Sequence, residues 1–144
     1  MSTARPPEGA PVSVEPFVHH VRVYWEDTDA GGVVFYANHL KFFERARTEW
    51  LRARGIGQER LRIDTGAIFV VADTSVRYLA PARLDDWLAV SVEVLEAGRA
   101  SLLIAQASHC DGRRLAEGRI RIGCVDAGTF RPRRFPTDIL NLLA

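Results

Sequence analysis

The chain has 144 residues, 47% hydrophobic and 26% charged, which suits a single domain able to bury a real core. A formal net charge of +1 argues against dependence on a broad basic field of the nucleic-acid-binding kind, while leaving local basic clusters for a phosphorylated ligand. Two cysteines, Cys110 and Cys124, lack metal-ligand spacing and read as reduced thiols of a cytoplasmic protein.

Residues 1–16 carry Pro6, Pro7, Pro11 and Pro16 and no long apolar run. They fit neither a secretory signal nor a membrane span, so an extended, flexible tail is expected ahead of one domain over residues 17–144. Val21, Val23 and Trp25 then alternate with Arg22 and Tyr24, the period of a half-buried strand. An acidic cluster, Glu26, Asp27 and Asp29, precedes a break at Ala30-Gly31-Gly32. Asn38 is the expected cap of a long amphipathic helix ending before Gly55. Leu40, Phe43, Ala46 and Trp50, with Phe42 and Leu51, form its apolar stripe.

Residues 58–66 read as a connection with at most a short helical turn, and residues 68–79 as a long strand that ends near Pro81. Leu88, Val90, Val92 and Val94 alternate in a further strand, which would be an edge liability unless paired. Residues 101–110 return as another, and Asp111-Gly112 signals a tight hairpin. Ala116, Ile120, Ile122 and Cys124 mark the inward face of a last strand, and residues 135–144 a short terminal helix. One early helix followed by strands joined by short turns predicts an α+β fold, with an antiparallel sheet covered on one face.

The chemistry concentrates in residues 22–55. Adjacent glycines let backbone approach a ligand closely, and the helix start adds unpaired N–H groups beside the acids. A carboxylate and carbonyl-polarising donors a few residues apart are the parts of an acyl-transfer site. The plainer alternative is a strand–turn–helix connection with solvated acids. Asp27 and Glu26 read as structural, because two carboxylates pointing the same way would compromise a nucleophile. His19, His20 and His109 form no metal-ligand grouping, and no metal or organic cofactor is called for.

Arg22-Val23, Thr28-Asp29 and Gly32-Val33-Val34 together resemble the signature of the 4-hydroxybenzoyl-CoA thioesterase family. The run EDTDAGGVV followed by FYANHLKFFERARTEWLR looks especially like the acyl-CoA thioesterases encoded with the bacterial Tol-Pal system, and the resemblance resumes at VRYLAPARLDD, residues 76–86. It covers roughly residues 19–126. It implies a hotdog fold, an antiparallel sheet wrapped around one long helix, in a homodimer or homotetramer paired through sheet edges with sites near the interface. It also implies hydrolysis of acyl-CoA to free acid and CoA, with Asp29 as nucleophile or general base and the backbone N–H at Tyr36 polarising the thioester. Some relatives carry histidine where this chain has Tyr36. Gly32, Val33, Asn38 and His39 would surround the substrate, and His39 could protonate the leaving thiolate. Arg99, Arg131, Arg133 and Arg134 are candidates for the phosphates of CoA. A hydratase acting on enoyl-CoA would need a histidine five residues after the aspartate, where Val34 stands. A non-catalytic module binding acyl-CoA or acyl carrier protein, linked to envelope lipid metabolism, is the alternative from another class.

Overall fold

Alternating hydrophobicity becomes five strands of one antiparallel sheet in the computed structural model, which describes residues 16–143. The tail expected over residues 1–16 lies, apart from Pro16, outside the described residues. The strands are β1 (Phe17–Arg22), β2 (Ala67–Tyr78), β3 (Trp87–Ala97), β4 (Ser101–Cys110) and β5 (Arg113–Asp126), in the order β1-β3-β4-β5-β2. The helices are α1 (Asn38–Ala53), α2 (Gln58–Thr65) and α3 (Thr137–Leu143). Asp111 and Gly112 turn the β4–β5 hairpin with φ of 51° and 77°, the left-handed pair that Asp-Gly tolerates. Residues 79–86 cross the end of the sheet, with the amides of Leu79 and Ala80 both donating to the Leu115 carbonyl. As a result β3 lies between β1 and β4, and among the described residues the edge strands are β1 and β2 rather than residues 88–96.

Register then decides what α1 meets. One inner row holds Val76, Gly118, Gln106, Val92 and Phe17; the next holds Tyr78, Ala116, Ser108, Val90 and His19. Phe42, Phe43, Ala46, Trp50 and Leu51 are buried against this face. Gly118 makes the approach possible, because a Cβ there would stand 3.2 Å from Phe43 Cε2 and 3.0 Å from the Ser75 carbonyl oxygen. A polar tie crosses the same contact: Gln106 Nε2 donates to the Phe43 carbonyl (3.0 Å) and Arg47 donates to Gln106 Oε1 (3.0 Å).

The structure corrects several boundaries. Leu40 is exposed and His39 takes the buried place, since 39, 42, 43, 46 and 50 follow the i, i+3, i+4, i+7 spacing and Leu40 falls on the flank toward β2. Strand β1 stops at Arg22, and Trp25 is 81% exposed in a 3-10 turn instead of facing the core. Residues 58–65 form two full helical turns, closed by Gly66 at φ 74°. Cys124 is buried, Cys110 half-buried, and both are free thiols.

Candidate active site

Asp27 builds the entry to the site. The residue is only 5% exposed, and its carboxylate accepts the Tyr24 amide at 2.8 Å and so bends the chain out of β1. Its carbonyl accepts both the Phe35 amide (3.0 Å) and Asn38 Nδ2 (2.9 Å), tying the two ends of the following loop. Asn38 is therefore a donor at the first position of α1, with Ala37 before it as the cap, and the expected Asn38 cap is not formed. The carbonyl of a buried aspartate competes for its side chain, and the first amides of α1 instead donate three residues back, Asn38 to the Phe35 carbonyl, His39 to that of Tyr36 and Leu40 to that of Ala37.

Between these ties the loop folds back on itself. The Asp29 amide donates to the Val33 carbonyl (2.9 Å), the Gly32 amide to the Asp29 carbonyl (3.0 Å), and Thr28 pairs with Val34. Gly32 holds φ 77°, which a Cβ would disfavour, and half-buried Val33 bridges to Arg83. The Asp29 carboxylate faces outward. Oδ1 accepts the Gly31 amide at 2.8 Å, and among the described residues nothing donates to Oδ2. That leaves one carboxylate oxygen held in place and the other available to a water or a carbonyl carbon. Val34 donates to the Ala82 carbonyl (2.8 Å) and Val23 to that of Asp86 (2.9 Å), so the residue stretches 22–55 and 76–86 form one unit.

Tyr36 stands just ahead of α1. Its amide has no acceptor among the described residues, while its carbonyl accepts the His39 amide (3.3 Å) and the Tyr78 hydroxyl (3.0 Å). The Tyr36 ring is largely exposed, tilted against Phe35 and edge-on to Tyr78. His39 is buried against Phe42 and Tyr78, and its Nδ1 finds no partner among the described residues. Burial lowers its proton affinity from the ordinary histidine value, so the imidazole is neutral at pH 7. Tyr78 escaped the sequence reading. Its alternation with Val76 signals the inner face, but only the register with Ala116 places it beside α1.

The arginines fall elsewhere. The Phe135 amide donates to the Arg99 carbonyl (2.8 Å), which brings exposed Arg99 and exposed Arg134 to the β3–β4 turn. Exposed Arg131 lies beside the end of β5 through its carbonyl, which accepts the Asp126 amide. Arg133 is occupied structurally: it donates to the Thr65 carbonyl at 2.9 Å and lies 3.9 Å from Asp126. Strand β3 separates this basic end from the Asp29 end by about 30 Å, so one chain does not bring them together.

Residues 23–143, from the end of β1 through α3, match a known family, the thioesterase-like superfamily. The chain belongs to the thioesterase-like superfamily. Among superfamily relatives, it is 42% identical over 123 residues to the acyl-CoA thioesterase YbgC of Haemophilus influenzae, covering 85% of this chain and 90% of that one. It is 43% identical over 121 residues to the acyl-CoA thioester hydrolase YbgC of Escherichia coli O157:H7, covering 83% and 90%. The fold of this superfamily member superposes on a probable thioesterase from Bartonella henselae with a TM-score of 0.80 and 29% identity, over 85% of this chain and all of the other. The hotdog arrangement expected from the resemblance is therefore the observed fold.

Proposed function

We propose that the protein hydrolyses acyl-CoA thioesters to free acid and CoA, with Asp29 as nucleophile or general base. One observation carries the reading: a loop only a few residues long presents the Asp29 carboxylate at one end and the unpaired Tyr36 amide at the other. The amide stabilises negative charge developing on the thioester oxygen, while Asp29 attacks the carbonyl carbon or takes a proton from the attacking water. The names of the relatives support the substrate class. The resemblance of residues 26–52 extends the reading to a cytoplasmic enzyme of the Tol-Pal-associated kind. Among the described residues, no helix is long and apolar enough to cross a membrane.

Two copies complete this site. Asp29 is exposed in the single chain, and a carboxylate open to bulk water gains little as a catalyst. Strand β2 offers the means: twelve residues with an edge that no other described strand pairs, free of proline, exposed from Val71 to Ser75. Antiparallel pairing of β2 with its copy would set the Ala67 end of one protomer, near the basic cluster, beside the Tyr78 end of the other, near Asp29. A cavity of about 240 Å³ between α1 and β2, bounded by Trp50, Leu51, Phe69, Val71 and Leu102, would then be roofed and could take the acyl group. Light scattering should accordingly return a dimer or tetramer. A concentration-independent monomer with full activity contradicts the arrangement.

Thiol release from a panel of acyl-CoA esters, short aliphatic to aromatic, tests the reaction itself; binding without release would return the protein to a carrier-type module. In the same assay, Arg99→Ala combined with Arg131→Ala and Arg134→Ala should raise KM about tenfold or more, one charge-assisted phosphate contact being worth that much. The kcat should hold. Arg133→Ala should instead lower the melting temperature, through its lost bond to α2. A parental KM in the triple variant makes these three arginines surface charges only.

A further inference from the structure

The Tyr36 peptide is aimed from outside its own loop. Tyr78, the last residue of β2, lies forty-two positions along the chain, yet its hydroxyl donates to the Tyr36 carbonyl at 3.0 Å. The Tyr78 ring stands between two others, edge-on to Tyr36 at 6.1 Å and against His39 at 5.4 Å. The Phe35 carbonyl, on the peptide that carries the Tyr36 N–H, accepts the Asn38 amide at 2.8 Å. Tyr36 is thus held on both flanking peptides: by helix entry on one side, and by Tyr78 together with a longer 3.3 Å bond from the His39 amide on the other.

We propose that Tyr78 is a positioning residue for thioester hydrolysis, its hydroxyl fixing the Tyr36 backbone so that the Tyr36 N–H points at the developing oxyanion. This rests on the reading that the Tyr36 amide polarises the thioester carbonyl. The need for such a device follows from geometry. Oxyanion donors act only within a narrow range of distance and angle, and Tyr36 sits in an exposed turn rather than inside the helical ladder. A hydrogen bond from the end of a long paired strand supplies rigidity that the loop lacks. Tyr78 keeps its proton well into alkaline solution, because burial and then the neighbouring Tyr36 hydroxyl both disfavour its phenolate. It therefore remains a donor throughout the neutral range.

Tyr78→Phe isolates the hydroxyl, since the ring that packs on His39 stays and the Tyr36 carbonyl keeps its bond from the His39 amide. The expected result is a fall of about tenfold in kcat with KM kept within about twofold, the mark of an interaction made in the transition state. The second readout is the infrared carbonyl stretch of ¹³C-labelled acyl-CoA bound to Asp29→Asn protein, with and without Tyr78→Phe. The bound stretch should move to lower wavenumber in Asp29→Asn and move back toward the free value when Tyr78→Phe is added. A parental kcat, or a lowered kcat with an unchanged carbonyl stretch, overturns the role given to Tyr78. Absence of any shift in Asp29→Asn itself would instead overturn the Tyr36 reading, and the proposal with it.

Discussion

Asp29→Asn is expected to lower kcat for acyl-CoA hydrolysis by at least about a hundredfold while fold and substrate binding are kept. General-base assistance alone is worth about 10²–10⁴ in rate, and loss of a nucleophile can cost more. The fold should survive because the asparagine carbonyl can still accept the Gly31 amide that Asp29 Oδ1 now takes, and the turn's other bonds are backbone to backbone. Asp27→Asn is the control. An asparagine oxygen can likewise accept the Tyr24 amide, so this variant should lose some stability and far less rate. Steady-state kinetics with thermal melting on both proteins decides the matter. Normal turnover by Asp29→Asn beside a dead Asp27→Asn would move the reacting carboxylate two residues upstream.

Phe43→Ala should cost about 3–5 kcal/mol, the range for truncating a fully buried phenylalanine. The site cannot collapse easily, because the ring fills the gap over Gly118 and the helix backbone is held there by the Gln106 amide. The complementary change, Gly118→Ala, adds one carbon where the Ser75 carbonyl and the Phe43 ring already stand close. It should cost about 1–3 kcal/mol by overpacking. Denaturant melts of the two single variants and the double measure both effects. If the contact is shared, Gly118→Ala should cost less in the Phe43→Ala background, keeping only the part due to the Ser75 carbonyl, and strict additivity of the two costs would show that it is not.

Secondary structure was legible wherever local chemistry decides it. The helix over residues 38–53, the Asp-Gly hairpin and the inward face of residues 116–124 each follow from periodicity or from turn residues acting on their own neighbours. Misreadings came where a distant or competing partner decides. Trp25 continues the alternation of Val21 and Val23, yet the Asp27 carboxylate captures the Tyr24 amide and ends the strand first. Asn38 has the right chemistry for a cap, but the Asp27 carbonyl claims its side chain as a donor.

The candidate site divides in the same way. The composition and spacing of residues 22–55 determined by themselves that an acid, a glycine turn and a helix start lie together, because those groups are covalently adjacent. Tertiary structure alone decided that Tyr78 reaches the Tyr36 carbonyl, that Arg133 is spent on Thr65, and that Arg99 and Arg134 share one end of the sheet far from Asp29. It decided, too, that among the described strands β2 and not β3 stands at an edge of the sheet. Strand order and register bring these groups together across tens of residues, and they depend on which faces can pack around α1, a property of the whole core that no local pattern carries.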